Sequence, residues 1–138
     1  MRRIEAVLII CGAIFFLPLI RVCLSTFGYR RTVRLLSVLS PEPPPGGKAI
    51  TMRSLRLAKR FGSLRLPKRL LGSCLHKSIF LWWLLRFAGC QADIVTGVKK
   101  DSETGLFMLH AWVQHGNYPV NEPPAVVAEY CKLDLSSG

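Results

Sequence analysis

The stretch SCLHKSIFLWWLLRFAGCQADIVTGVKK, residues 73–100, decides the fold because its hydrophobic pattern changes within it. From Leu75 to Ala88 the residues are apolar on nearly all sides, which predicts a central buried helix. Ser73 can cap the start of this helix, and Gly89 can end it. After Gly89 the pattern alternates along ADIVTGVKK, as expected of a β-strand.

The residues that follow continue the sheet. DSETG (101–105) predicts a turn, LFMLHAWVQH (106–115) a second strand, GN (116–117) a tight turn, and YPV (118–120) a third short strand. Connections this short join antiparallel neighbours. The predicted fold class is therefore α+β, in which N-terminal helices are followed by a central helix packed on a small antiparallel sheet.

The front of the chain is predicted to be helical. Residues 4–39 fit helices, with a break or kink near Pro18 and a turn in TFGYRR (26–31). The proline- and glycine-rich SPEPPPGGK (40–48) predicts a linker. We therefore divide the chain into an N-terminal helical segment with its linker, residues 1–47, and a core domain, residues 48–138.

The net charge of +11 belongs to the first half of the chain. Residues 1–70 contain 14 lysines and arginines against two acidic residues, whereas residues 71–138 contain five against six. The basic residues of 49–71 alternate with apolar ones, as on a solvated helix face, a nucleic-acid surface, or a dock for acidic peptide or anionic lipid. No recognised nucleic-acid-binding module accompanies this charge, so nucleic acid is not an expected partner.

An uncharged run of 15 residues extends from Ala6 to Ile20. It is shorter than the roughly 18 to 20 residues that span a bilayer. No convincing signal-peptide cleavage site follows it. A buried or surface-lying helix is favoured over a membrane span or a cleaved signal, and a membrane surface is an expected contact.

The five cysteines are an odd number and form no Cys-x-x-Cys pair. This pattern argues against a disulfide scaffold and a structural zinc site, so we expect no cofactor and no metal. Free thiols indicate a reducing, cytoplasmic location, with association at the inner membrane as an option. A packing role is expected for four of the cysteines: Cys11, Cys23, Cys90 and Cys131.

Cys74 differs because it falls in the first turn of the predicted central helix, where unpaired amides and the helix dipole favour a thiolate. His110, in the second strand, is a candidate base for this thiol. Asn121 and Glu122, on or just after the third strand, are candidates to orient the imidazole. Cys74 and His110 also fit a purely structural role in the core.

Other ring side chains receive structural roles. His76 is predicted to point away from Cys74 around the helix, and His115 falls at an exposed turn, so neither is the expected base. Trp82, Trp83 and Trp112 are predicted to fill the core between helix and sheet, with Trp112 as an alternative lining residue of a substrate cleft.

Taken in order, SCLHKSIFLWWLLRFAGCQADIVTGVKK and FMLHAWVQHGNYPVNEP resemble the transglutaminase-like cysteine peptidases of lasso-peptide biosynthesis, the leader peptidases called B proteins. The shared features are a Cys-Leu start to an apolar helix, a strand ending in Gly-Val-Lys-Lys, and His-Ala-Trp-Val before a turn and an Asn-acid pair. They cover about residues 66–124, and the chain length resembles the stand-alone peptidase form.

The resemblance implies a transglutaminase- or papain-like core that removes the leader from a ribosomally made precursor. It implies that Cys74 is the nucleophile and His110 the general base and acid. The third residue is usually an aspartate, and this chain has Glu122 there, preceded by Asn121. The implied partners are the precursor peptide, a separate leader-recognition protein and an ATP-dependent lactam-forming cyclase.

Two other functions fit the same residues. One is an acyl transferase that uses the Cys74 and His110 pair to pass an acyl group to an amine. The other is a non-catalytic, basic, membrane-associated interaction protein in which both residues belong to the core.

Overall fold

The computed structural model describes residues 2–43, 52–63 and 73–134. In these ranges the helices are α1 (Arg2–Val38), α2 (Met52–Ser63), α3 (Cys74–Phe87) and α4 (Pro124–Ala128). The strands are β1 (Asp93–Lys100), β2 (Phe107–His115), β3 (Tyr118–Pro119) and β4 (Cys131–Leu133). The α+β class is confirmed. The predicted boundary at residues 47 and 48 and much of the predicted linker lie outside the described residues.

The strands form one antiparallel sheet in the order β3-β2-β1-β4. The β1–β2 hairpin is in register from Asp93 opposite Gln114 to Lys100 opposite Phe107. The strand β3 pairs with Gln114 and His115 of β2, and among residues 2–43, 52–63 and 73–134 no strand pairs with residues 107–112 on that side. We call this segment the open edge of β2.

The helix α3 forms the centre of the core, as predicted. Ile79, Phe80, Leu81 and Leu85 are each no more than 1 % exposed, because α1, α2 and the sheet pack around them. The helix ends at Gly89, whose positive φ of 75° suits glycine. The Gly89 N–H donates to Arg86 and the Cys90 N–H to Leu85, which satisfies two terminal carbonyls.

The helix α1 packs along α3 with one side only. Ala13, Leu17 and Ile20 are buried in the shared core. The backbone leaves helical geometry at Gly28 (φ 75°, ψ 172°), within the predicted turn. The helix does not break near Pro18, because this proline lies inside α1 and Gly28 is the residue with non-helical dihedrals. A kink at Pro18 stays a prediction.

By length and composition alone, Ile10–Val38 of α1 is long and apolar enough to cross a membrane. Only 17 % of its apolar window is buried within the protein. This share is low for a core helix, whose apolar side chains are normally covered.

The helix α2 lies within the predicted basic amphipathic stretch. Ala58 and Phe61 are buried against the core, whereas Arg56 and Lys59 are exposed. The remainder of that stretch, residues 64–71, lies outside the described residues.

The cysteines divide by exposure rather than sharing one role. Cys90 is buried, with its Sγ 3.2 Å from the Ser54 hydroxyl. Cys11 and Cys131 are exposed, so the packing role predicted for them is wrong. Cys11 lies on the side of α1 that faces away from α3, and Cys131 begins the edge strand β4.

Candidate active site

The imidazole of His110 contacts the carboxyl group of Glu122. The His110 Nε2 atom is 3.1 Å from the Glu122 Oε1 atom, and the two side chains are 20 % and 26 % exposed. The turn between β2 and β3 brings them together, because β3 returns along β2 and Glu122 follows it. The pair is reachable from solvent and still shielded enough for the contact to orient the ring.

This contact has a consequence for the tautomer of His110. A carboxylate only accepts hydrogen bonds, so its partner nitrogen, Nε2, carries the proton. In a neutral imidazole the other nitrogen, Nδ1, then has a free lone pair. Glu122 therefore leaves His110 with Nδ1 as the atom that can accept a proton.

Asn121 makes a different contact. Its Oδ1 atom accepts a hydrogen bond from the Val113 N–H at 2.8 Å, and the Val120 N–H donates to the Val113 carbonyl. The side chain of Asn121 thus extends the pairing of β2 beyond the short strand β3. Of the two candidates to orient the ring, Glu122 is the one in contact with His110.

Cys74 is the first residue of α3 and is half-buried. One turn later, Ser78 donates from its hydroxyl to the Ala111 carbonyl at 2.9 Å. Residues four apart share one side of a helix, so Cys74 and Ser78 lie one above the other. Ser78 is fully buried, and this bond fixes α3 to β2.

The bond from Ser78 also shows where α3 meets the strand. The N–H and carbonyl groups of Val113 point to the side of β2 on which β3 lies, away from β1. The direction of these groups alternates from one residue to the next along a strand, so the Ala111 carbonyl points to the same side as those of Val113. The start of α3 therefore lies beside the open edge of β2. Ser78, one turn after Cys74, is thus fixed to Ala111, the residue that follows His110 in the chain.

Cys74 and His110 approach this edge from different directions. His110 shares a face of β2 with Trp112, whereas Val113, on the other face, belongs to the apolar cluster around α3. Within residues 73–134, Cys74 Sγ and the His110 ring form no hydrogen bond. In a protein without bound substrate, catalytic hydrogen bonds are often long and shorten when substrate binds.

The ring of His110 lies against two aromatic residues. Its centroid is 5.4 Å from that of Tyr130 and 6.2 Å from that of Trp112. Trp112 is fully buried, but on the face of the sheet opposite α3. It covers Gly97, where an added Cβ would lie 2.8 Å from Tyr130 Cβ and 2.9 Å from the indole, so only glycine fits. Trp112 therefore supports the histidine, whereas Trp82 fills the core on the α3 side.

His76 has a role that sequence reasoning missed. Its Nδ1 atom is 3.0 Å from the backbone nitrogen of Ser73, which donates to it, and 2.7 Å from the Ser73 hydroxyl. Burial, and secondarily the positive charge of Arg21, lowers the pKa of His76. The neutral ring thus closes the first turn of α3 around Cys74. The signal was the Ser-x-x-His spacing, which places a ring nitrogen where a capping box usually has a glutamate or glutamine oxygen.

Among the described residues, neither a cluster of metal ligands nor the surface cavity described below includes this site. Within residues 2–43, 52–63 and 73–134, no group of three or more His, Cys, Asp or Glu side chains is placed to hold a metal ion. A surface cavity lies at the far end of the β1–β2 hairpin, beside Val98, Phe107 and Cys131. Its lining contains none of the four predicted site residues.

A family model described as the transglutaminase-like superfamily matches residues 15–133. This match begins inside α1 and ends at the last residue of β4, so it includes the whole sheet and all four predicted site residues. No curated protein and no solved structure matches the chain.

Proposed function

The chain belongs to the transglutaminase-like superfamily, and from this premise we propose that it is the cysteine peptidase that removes the leader from a ribosomally made lasso-peptide precursor. Membership of the superfamily indicates cysteine-peptidase or acyltransferase-type activity. The observation that carries the proposal is the His110–Glu122 contact, which leaves Nδ1 of the imidazole as the atom that can accept a proton. The lasso-type substrate rests on the motifs around Cys74 and His110.

In the proposed first step, His110 Nδ1 takes the proton from Cys74 Sγ. The thiolate then forms a bond to the scissile carbonyl carbon, and the carbonyl oxygen becomes an oxyanion. Backbone N–H groups in the first turn of α3, including that of Cys74, have no helical carbonyl to bond and can donate to this oxyanion. The positive end of the helix dipole stabilises the same charge.

In the second step, the protonated His110 donates its Nδ1 proton to the leaving amine, and the carbon–nitrogen bond breaks. The core peptide leaves with a new N-terminus, and the leader remains as a thioester on Cys74. A water molecule then attacks the thioester, His110 accepts its proton, and the leader departs as a carboxylate while the thiol is restored. Throughout, Glu122 holds the ring and stabilises its positive charge.

The open edge of β2 supports a peptide as the substrate. At Phe107 and Leu109 the strand presents outward backbone groups, by the same alternation that turns Ala111 outward. An extended peptide can pair with such an edge, and pockets for alternate side chains then give specificity. The apolar side chains of Leu106, Phe107 and Leu109 are each about 70 % exposed, next to His110. A peptide bound here would run directly to the proposed reaction centre.

The decisive experiment is mass spectrometry of a lasso-type precursor incubated with its leader-recognition protein and this chain. We expect cleavage at one bond by the wild type and none by Cys74→Ala or His110→Ala. Cys131→Ala is the matched control, because this exposed cysteine lies outside the proposed site. Circular dichroism of each variant checks that the fold is retained.

Three results would redirect the proposal. Equal cleavage by wild type and Cys74→Ala would make the cysteine structural. A product that contains an added amine would assign acyl transfer with the same residues. Absence of cleavage, while the chain still binds the leader-recognition protein or cyclase, would favour the non-catalytic interaction protein.

The open edge can be tested separately with Leu109→Pro and Leu109→Ala. Both remove the branched end of the leucine side chain, but only proline removes the outward N–H, and proline is tolerated on edge strands. We expect Leu109→Pro to raise KM for the precursor well beyond Leu109→Ala. Equal KM values for the two variants would exclude backbone pairing at this position.

A further inference from the structure

One side of α1 exposes a continuous row of apolar side chains. Seven of them are between 46 % and 76 % exposed, and in helical projection they all point away from the buried residues Ala13, Leu17 and Ile20. We call this row the outer face of α1, and it consists of Ile4, Val7, Leu8, Ile14, Phe15, Leu19 and Val22. From Ile4 to Val22 it extends about 27 Å along the helix, which makes it a larger apolar patch than a soluble monomer normally exposes.

The opposite side of α1 is already fixed to the protein. Besides the buried residues, Phe16 packs edge-on against Trp83 with ring centroids 4.8 Å apart. A helix that crosses a bilayer alone has lipid on all sides, whereas α1 has only its outer face available. The geometry therefore fits a helix that lies along a surface, with one side on α3 and the other on its partner.

The polar groups near the outer face are satisfied within the helix. The hydroxyls of Ser25 and Thr26 are exposed, and they donate to the Val22 carbonyl at 2.9 and 2.8 Å. Protein interfaces carry about one hydrogen bond per 100 to 200 Å². The seven side chains of the outer face carry no hydrogen-bonding group, so the face fits acyl chains, which form none, and the exposed Arg21 is a cation at its margin.

The cations of α1 and α2 select the kind of lipid. Arg31 and Arg34 are exposed on the last part of α1, and Arg56 and Lys59 are exposed on α2. The sequence contains no acidic residue from Ala6 to Pro41. Clustered cations beside an apolar helix face attract anionic headgroups while the apolar side chains insert.

We infer that the outer face of α1 docks on an anionic lipid bilayer, with the helix axis parallel to the membrane plane. This inference does not depend on the proposed peptidase activity, because it rests on α1 rather than on Cys74 or His110.

The test is flotation of the full chain with vesicles of phosphatidylcholine alone, or of phosphatidylcholine with phosphatidylglycerol. We expect tighter binding to the anionic vesicles, weakened by salt. Phe15→Gln with Leu19→Gln should lower the affinity by roughly tenfold or more, because two exposed side chains no longer insert. Leu106→Gln with Phe107→Gln is the matched control, since these residues are as exposed but lie on the hairpin, and it should bind like the wild type.

Orientation is tested with an environment-sensitive dye on Cys11, in a chain whose other cysteines are replaced. Cys11 is exposed on the outer side of α1, so we expect a blue shift on vesicle binding and none from a dye on Cys131. Wild-type binding by the Phe15/Leu19 variant, or an unshifted Cys11 dye, would overturn the inference. A second outcome would also overturn the inference: the wild-type chain binds neither kind of vesicle and forms a dimer, and the Phe15/Leu19 variant is monomeric. The outer face would then be a contact with a second copy of the chain.

Discussion

The helices α1 and α3 have similar apolar sequences and very different surroundings. The side chains of Ile79, Phe80 and Leu85 in α3 are fully covered, whereas Phe15 in α1 is 76 % exposed. The difference lies in the neighbours, because α3 is enclosed by α1, α2 and the sheet while α1 has a neighbour on one side only. An apolar helix sequence thus predicts that its side chains are buried, and the fold decides whether protein or another apolar phase, such as lipid, buries them.

The largest expected difference concerns the cysteines of the two helices. Cys11 is the more exposed thiol, but Cys74 is the first residue of α3 and the proposed nucleophile. In vesicle-free buffer at neutral pH we expect alkylation of Cys74 to be roughly tenfold or more faster than that of Cys11. Peptide mapping by mass spectrometry measures both rates in one sample, with buried Cys90 as the slow reference. Faster labelling of Cys11 would mean that exposure alone controls reactivity.

The next comparison measures how burial of a leucine affects the free energy of unfolding, with Leu85→Ala in α3 and Leu19→Ala in α1. Leu85 is fully buried, so its truncation should lower the free energy of unfolding by about 2 to 5 kcal/mol. Leu19 is 49 % exposed, and its truncation should change the value by about 0.5 kcal/mol or less. Urea denaturation of both variants without lipid gives the two values. A large loss of unfolding free energy in Leu19→Ala would show that the Leu19 side chain is buried in the folded protein.

Two glycines extend the comparison to packing density. Alanine at Gly12 of α1 would place its Cβ 3.8 Å from the Phe80 ring, an ordinary contact. Alanine at Gly97 would meet Tyr130 and Trp112 at under 3 Å, so we expect a loss of roughly 1 to 3 kcal/mol there. At Gly12 the helix should gain up to about 1 kcal/mol. Thermal unfolding of both variants measures the difference. Equal stability would show that the rings of Tyr130 and Trp112 can shift to accommodate the added methyl group.

The smallest effect concerns the cap of α3. Because the pKa of His76 is lowered in the folded protein, the unfolded chain binds a proton first as the pH falls below the ordinary value of 6.5. The cap's contribution, about 1 kcal/mol, is therefore complete above that pH and is lost as the pH falls through the lowered pKa. His76→Gln keeps an acceptor without titrating and should remove this pH dependence, whereas His115→Gln should retain it. Stability curves against pH for the three proteins decide the question.

The sequence predicted α3 from its long apolar run, and β1 and β2 from their alternating patterns. The short β3 was predicted from the tight turn before it. The five-residue α4 and three-residue β4 are too short for such a signal and were not predicted. The break near Pro18 was expected from proline's missing N–H, but Gly28, with its freedom at positive φ, is where the helix turns.

The candidate site was predictable as a set of residues but not as a set of contacts. The spacing of Cys74, His110 and Glu122 follows from motifs, and the short β2–β3 turn brings the last two together. The sequence does not decide whether Glu122 or Asn121 orients the His110 ring, because the answer depends on a backbone contact, the hydrogen bond from the Val113 N–H to Asn121. The cap by His76 depends on one rotamer, which the helical pattern does not specify.

The open edge of β2 has a consequence for handling the protein. Unpaired strand groups beside the exposed side chains of Phe107 and Leu109 form a template on which another chain can add a strand, the usual start of aggregation. A peptide bound along the edge would occupy that template and favour the folded state by mass action. Under the proposed function that peptide would be the substrate, and concentrated stocks would keep best with a peptide present.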